Sequence, residues 1–392
     1  MAKRTLLKAI NRSIILNVIK KHGPIARADI ARLTKLSPAT VTLQTAELIE
    51  DGLIYEKQEG DSRGGRPPIL LALSTEAIYV LGVKLTESHA TLALIDLQAT
   101  IVAQRTFGLP STHPIAVADL LTTETLSLLR AADIPRKHLV GCGVGMAGLI
   151  DSVNGICRMS PHTHWRDVPL AEYLEERLGC PVYLDNNVNT LTFLERLYGL
   201  GQHVDNFLVI TIGLGIGMGI VCDGQVYRGA SGSSGELGHT VIDPDGLPCS
   251  CGNRGCLETF VADPWLVYHA RQAGLEVVTP EELTQLAQSG EPRAVDVFRR
   301  AGKVLGQSVA NLINLFNPGM IIVSGEGVRA GDLLFDPMRE AISRHAFSGL
   351  DKEVTLQIEP LLDESWARGA ACLVLHKIFE TSEFTQPTSI AE

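Results

Sequence analysis

Three cysteines, Cys249, Cys251 and Cys256, fall within eight positions of the stretch CSCGNRGCLE, and His239 stands ten residues upstream in GELGH. Thiols and an imidazole gathered around glycines constrain a fold more than any apolar pattern does, because a metal would tie distant points of one loop to a single centre. Three roles are open to such a cluster: a catalytic metal, a redox pair or a structural staple. The other five cysteines, Cys142, Cys157, Cys180, Cys222 and Cys372, are scattered among apolar neighbours. They read as buried thiols packing as small hydrophobes.

A length of 392 residues leads us to expect two or three domains. With 45% hydrophobic and 20% charged residues, the composition is that of a soluble globular protein. The uncharged run FLVITIGLGIGMGIVC over 207–222 is shorter than the ~18 residues of a spanning helix. Its alternate glycines read as two strands around a turn. The basic start, MAKR, is followed by no apolar segment of signal-peptide length. We therefore expect a cytoplasmic protein without membrane insertion. Charge is unevenly spread: residues 1–75 carry 12 Lys+Arg against 7 Asp+Glu, and the remainder 22 against 37. A basic head on an acidic body suggests that only the head meets a polyanion.

Within that head, NRSIILNVIKKHG sets Ile14, Ile15, Val18 and Ile19 at helical spacing before a Gly23-Pro24 stop. A short helix with Ile30 and Leu33 on one face follows, and Ser37-Pro38 then reads as an N-cap with proline at the first helical position. The third helix buries Val41, Thr45 and Leu48 and closes at Gly52. This is helix-turn-helix spacing, and it leaves Ser37, Thr40, Thr42 and Leu43 as candidates to meet base edges in a major groove. LIYEKQEGDSRGGRPPILLAL alternates, turns and returns, as a wing does. Its tip carries Arg63 and Arg66 between glycines, a slim cationic segment suited to a narrow, A·T-rich minor groove. A flexible linker, or a helical bundle that never meets DNA, is the competing reading.

The body alternates strands and helices twice, starting near YVLGVKL and again at NFLVITIGLGIG, which predicts two related α/β lobes with a cleft between them. The last helix, SWARGAACLVLHKIF, is expected to pack back on the first lobe, and the tail after Glu380 to be disordered. We assign residues 1–75 to a winged helix-turn-helix DNA-binding domain and 76–195 to the first lobe, completed by a helix at about 364–380. Residues 196–363 form the second lobe, with the metal site and an oligomer interface. Over nearly its full length, and most specifically in GELGHTVIDPDGLPCSCGNRGCLE and the GGRPP-ended wing, the chain resembles the ROK family of repressors and sugar kinases. The similarity is to the transcriptional regulators of that family. It implies an actin/hexokinase-like, ribonuclease H-like body.

The resemblance implies that His239, Cys249, Cys251 and Cys256 bind a structural Zn²⁺. Four protein ligands leave no position for an activated water, so catalysis by the metal is not expected. A disulfide, or thiols without metal, is the alternative. It also implies that Asn186, Asn187, Glu236, His239 and Glu258 contact a sugar or sugar phosphate; otherwise Glu236 and Glu258 are solvated loop charges. Kinases of the family carry Asp-x-Gly-Gly-Thr after the first strand, where this chain has Lys84, Leu85, Thr86, Glu87 and Ser88. Their second phosphate loop differs here at Leu214 and Met218, and their Asn-Asp pair, which holds the general base, is Asn186 and Asn187. An amide cannot accept the proton. Asp185 aligns with a nonbasic acid of the family and is a poor substitute. The expected protein is a non-enzymatic, sugar-responsive regulator, a homodimer or homotetramer on operator DNA. A residual sugar kinase, or a regulator answering to a transporter protein, is the alternative.

Overall fold

The structure is a computed structural model that describes residues 2–57, 68–361 and 363–380. Arg63 and Arg66 at the expected wing tip lie outside the described residues, as does the tail beyond Glu380. The chain divides into two compact units: Met1–Gly148, Ser152–Asp185 and Trp366–Glu392 in the first, and Leu149–Asp151 with Asn186–Ser365 in the second. No helix among the described residues is long and apolar enough to cross a membrane.

The first unit opens with α1 (Ala2–His22), α2 (Arg27–Thr34) and α3 (Pro38–Glu50), flanked by the short strands β1 (Ile25–Ala26), β2 (Ile54–Lys57) and β3 (Leu70–Leu73). Helix α1 starts well before the expected Asn11. Its buried face is Ile15, Leu16 and Ile19, with Ile14 and Val18 only half-buried. Ile30, Val41, Leu48 and Leu71 complete this small core. Strand β3 runs antiparallel to both β1 and β2, Ile54 opposite Leu73, so the alternating stretch is a wing. Arg27 fastens it to the helices by donating to Thr45 Oγ1 at 3.0 Å and pairing with Glu56 at 2.7 Å.

Next come β4 (Tyr79–Leu85), β5 (His89–Ile95), β6 (Ile101–Gly108), α4 (Pro114–Ala131) and β7 (Leu139–Met146). After β8 (Leu149–Asp151), which belongs to the second unit, follow β9 (Ile156–Ser160), β10 (Trp165–Val168), α5 (Leu170–Leu178) and β11 (Val182–Asn186). The main sheet has the order β11-β7-β4-β5-β6, with β4, β5 and β6 antiparallel and β7 parallel to β4.

The second unit holds α6 (Asn187–Tyr198), β12 (Phe207–Ile212), β13 (Ile216–Cys222) and β14 (Gln225–Val226). It continues with α7 (Glu258–Val261), α8 (Asp263–Gln272), α9 (Pro280–Gln288), α10 (Pro292–Phe316), β15 (Met320–Ser324), α11 (Asp332–His345) and β16 (Thr355–Ile358). Its sheet order, β14-β13-β12-β15-β16, repeats that of the first unit strand for strand. Both lobes are thus one α/β design used twice. The expected boundary at residue 195 differs from the observed one, because α6 goes with the second sheet. Gly217 and Gly219 of β13 have no side chain to hold it off, and a Cβ at either would overlap Val188 or Thr192 of α6.

The last helix, α12 (Asp363–Phe379), returns to the first unit from Trp366 on. It lies directly on β4 and β7, as expected for a completing helix. A Cβ on Gly82 would overlap the Ala367 carbonyl, and one on Gly143 the Ala370 carbonyl. Alanines facing glycines bring backbone onto backbone with no slack. Gly143→Ala should therefore cost about 3 kcal/mol, the upper end for overpacking a close-packed core. Urea denaturation of the full chain would measure it, with Gly349→Ala, whose Cβ meets no atom within 4 Å, as the milder control.

Candidate functional site

The candidate residues of the second unit gather around the start of β13. Strands β12 and β13 form an antiparallel hairpin whose turn is closed by the Gly213 N–H donating to the Gly215 carbonyl at 3.0 Å. Leu214 stands at the tip, 74% exposed. The glycines of this stretch have close neighbours. Gly217 and Gly219 admit α6, while two carboxylates crowd the turn. Glu258 Oε2 lies 2.8 Å from where a Cβ on Gly215 would sit, and a Cβ on Gly213 would overlap the Glu326 carboxylate. Glu326 was not singled out from the sequence. The only hint is its place in SGEG, straight after the buried strand β15.

With α6 seated on β13, its first turn is held by both asparagines. Asn186 is the N-cap, its Oδ1 accepting from the Val188 N–H at 2.9 Å, and Asn187 Oδ1 accepts from the same group at 3.0 Å. On the other side, the GELGH turn is stitched to β13. Met218 N–H donates to the Gly235 carbonyl at 3.0 Å, and Cβ atoms at Gly235 or Gly238 would overlap the Met218 and Ile216 carbonyls. This places Glu236 and His239 on a single short turn, Leu237–His239 with Glu236 leading into it. Desolvation lifts the Glu236 carboxyl above the ordinary range, His239 works against that, and the like charge of Glu258 adds to it. Glu236 is therefore within electrostatic reach of both His239 and Glu258. Glu258 is the first residue of α7, two after Cys256.

The loop between them is almost without regular structure, and glycines shape it. Gly255, at φ +60°, leaves no room for a Cβ beside the Asp243 carbonyl, and its own carbonyl accepts from the Ile242 and Asp243 N–H groups at 2.8 and 3.1 Å. Leu257 N–H donates to the Thr240 carbonyl at 2.9 Å. The result brings one ligand atom each from His239, Cys249, Cys251 and Cys256 within 4.8 Å of one another. His239 Nδ1 is 3.5 Å from Cys249 Sγ, and Cys251 Sγ is 3.7 Å from Cys256 Sγ. Zn–S and Zn–N bonds of about 2.3 and 2.0 Å in a tetrahedron put neighbouring ligands roughly 3.5–3.8 Å apart. The four residues fit a metal. They do not form a disulfide, which requires sulfurs about 2.05 Å apart, and all eight cysteines are free.

Thiol acidities differ within the loop. Burial, reinforced by hydrogen bonds with Cys251 and Cys249, pushes Cys256 up to about 12. Exposed Cys251 moves the other way: burial is outweighed by hydrogen bonds from the Asn253 backbone, Cys249, Cys256 and its own N–H. At the DNA-facing candidates, the hydroxyls serve the helix itself. Ser37 Oγ accepts from the Thr40 N–H at 3.1 Å and contacts Thr40 Oγ1 at 2.8 Å, and Thr42 Oγ1 donates to the Pro38 carbonyl at 2.9 Å. Thr40 is half-buried, whereas Thr42 is exposed and Leu43 is 61% exposed. Leu33 of α2, placed by the sequence on an apolar face, is also exposed.

The thiolate is the reacting form of cysteine, so reagent should find Cys251 first. In metal-free protein Cys251 should label fastest, with Cys142 and Cys372, both fully buried, labelling only on unfolding. Saturating Zn²⁺ should slow Cys251 labelling by about tenfold or more if the four ligands close on it. Mass spectrometry of the labelled peptides against time reads both effects.

Two family descriptions match the chain: the ROK family over residues 80–377 and a winged helix-turn-helix DNA-binding domain over residues 11–55. The chain is 32% identical to a putative xylose repressor of Caldicellulosiruptor sp. (strain Rt8B.4), covering 96% of this chain and 98% of that one. It is 30% identical to the DNA-binding transcriptional dual regulator NagC of Escherichia coli K12, covering 94% and 93%. Among solved structures, a ROK family transcriptional regulator described as a homologue of the E. coli Mlc protein superposes with a TM-score of 0.86 at 30% identity, covering 96% and 97%. A repeated α/β body, a winged head and similarity along the whole length agree: this chain belongs to the ROK family.

Proposed function

We propose that the chain is a sugar-responsive transcriptional repressor of carbohydrate genes, acting in the cytoplasm as a homodimer or homotetramer on a pseudo-palindromic operator. One observation carries this reading: a single chain, similar end to end to proteins named as repressors, joins a winged three-helix head to a cluster of carboxylates, imidazole and amides at one strand end. The α3 helix enters the major groove, with Thr42 and Leu43 presenting apolar surface to thymine methyl groups. Arg63 and Arg66 reach the minor groove. Two heads on a two-fold axis match two half-sites.

In the body, Glu236 and Glu258 accept hydrogen bonds from sugar hydroxyls, and the Asn186 and Asn187 amides exchange them. His239, Cys249, Cys251 and Cys256 hold a structural Zn²⁺, which braces the loop carrying Glu236 and Glu258. With His239 bonded through Nδ1, the neutral ring carries its proton on Nε2, and that edge donates. A pyranose, whose hydroxyls both donate and accept, needs such a mixed set.

Phosphotransfer is not part of this function. Asn187 cannot act as a base. Lys84 lies over the Trp366 ring, 5.6 Å from its centroid, where the kinases carry an acid. Glu258 and Glu326 stand against the hairpin turn and repel phosphate.

Calorimetry with D-xylose, N-acetylglucosamine and their phosphates, with and without operator duplex, tests the effector class. Glu258→Gln should weaken the bound sugar by about tenfold or more, the worth of one charged hydrogen bond, while DNA binding persists. No ADP should form from ATP with any of these sugars; turnover abolished by Asn187→Ala would overturn the reading. For the head, Arg63→Ala with Arg66→Ala should lower the slope of log affinity against log salt by about one per residue, measured by fluorescence anisotropy.

A further inference from the structure

A helix leaves its last carbonyls without intrahelical partners, and the partner they find fixes the helix end. Phe379, the final residue of α12, finds its partner in the head. Ser13 Oγ donates to the Phe379 carbonyl at 2.6 Å and Asn17 Nδ2 donates to the same oxygen at 2.7 Å. The two are one turn apart on α1 and so share a face. One turn further on, the Lys20 ammonium sits 4.8 Å from the centroid of the Phe379 ring, placing positive charge at the negative end of α12. Ser13 and Phe379 are buried.

The same α1 is tied to the DNA-reading helix along another edge. Lys8 pairs with Glu47 at 2.9 Å and Arg12 with Asp51 at 2.6 Å, Asp51 being the C-cap of α3. Helix α1 is thus a splint between α3 and α12. Beside it, a cleft of about 350 Å³ opens among Arg12, Asp51, Leu53, Tyr183, Val374 and Lys377, so head and lobe are not packed solidly there. At its other end α12 has no such freedom. Gly82 and Gly143 bring it into backbone contact with the sheet, and the chain leaves the second unit within the first turn of α12.

We propose that the Phe379 carbonyl, gripped by Ser13 and Asn17, is the latch through which α12 sets the orientation of α3, and that the response to sugar reaches the DNA-reading helix by this route. The second half rests on the proposed sugar-responsive function; the first does not. Ser13 and Asn17 are positioning residues. Among the described residues, neither is hydrogen-bonded to a DNA candidate or a sugar candidate.

The test uses the full chain, a duplex selected by the native protein from a random pool, and D-xylose and N-acetylglucosamine as probes. In Ser13→Ala/Asn17→Ala, amide hydrogen exchange should quicken about tenfold across α1 and α3 and stay unchanged in β4 and β7. Sugar affinity should remain as in the native chain, while the sugar-induced change in DNA affinity, typically about 5–150-fold in coupled systems, should shrink towards none. Asn17→Ala alone, at an exposed position, keeps the Ser13 bond and should fold and show an intermediate exchange rate. Unchanged exchange in α1 and α3 overturns the latch. Quickened exchange with the full sugar response overturns the route. Should neither sugar alter DNA affinity in the native chain, it is the choice of effector that fails, and exchange alone decides the latch.

Discussion

The architecture depends on one kind of contact: a helix laid on strand glycines, which leave room for the α12 backbone on β4 and β7 and for the Val188 and Thr192 side chains of α6 on β13. It occurs in both units. Gly82 and Gly143 take α12, and Gly217 and Gly219 take α6. Such contacts are close enough that one methyl group has no place to go, and a packed interior transmits displacement rather than absorbing it. Helix α6 therefore arrives at β13 in a fixed register, bringing Asn186 and Asn187 with it. By the same means α12 is fixed to the first sheet, and its end becomes a reference point for the head.

Around β13 the same economy serves a different purpose. GELGH is held to the strand by glycines that tolerate carbonyls at contact distance, so Glu236 and His239 are delivered by backbone constraint rather than by packed side chains. The loop from residue 240 to 257 buries little, and a loop of that kind cannot hold two carboxylates still by hydrophobic contact. Ligand atoms from four residues, all within 4.8 Å of one another, give this loop a place to hold a metal. With Glu258 and Glu326 against the hairpin turn, its glycines present negative charge to any approaching anion.

Much of this was legible from residue order. The wing, the capped third helix, the repeated α/β lobes and the returning last helix all follow from local periodicity and punctuation, and each is present. The cysteine spacing with His239 likewise announced a four-ligand site, because sequence-near ligands need only a tight loop to meet. Other features were not legible. Helix α1 extends back to Ala2, past the Asn11 from which the helical spacing is read. Helix α6 follows directly on β11, yet belongs to the other unit; the Asn186 cap marks where the helix begins, not the change of partner. Glu326 lies more than sixty residues from Glu258 in the chain, and only the parallel pairing of β15 with β12 brings it to the hairpin.

The sequence by itself determined element types, the order of the two lobes and the identity of the four candidate metal ligands, since these rest on interactions between neighbours in the chain. Tertiary structure alone decided why the glycines of TIGLGIGMG stand where they do, which unit claims α6, and where α12 ends. Those are properties of surfaces that meet across long chain separations. A glycine looks the same in a phosphate loop and under a helix, until the helix is there. The Phe379 carbonyl is the clearest case: every residue has one, and only the fold brings Ser13 and Asn17 to it.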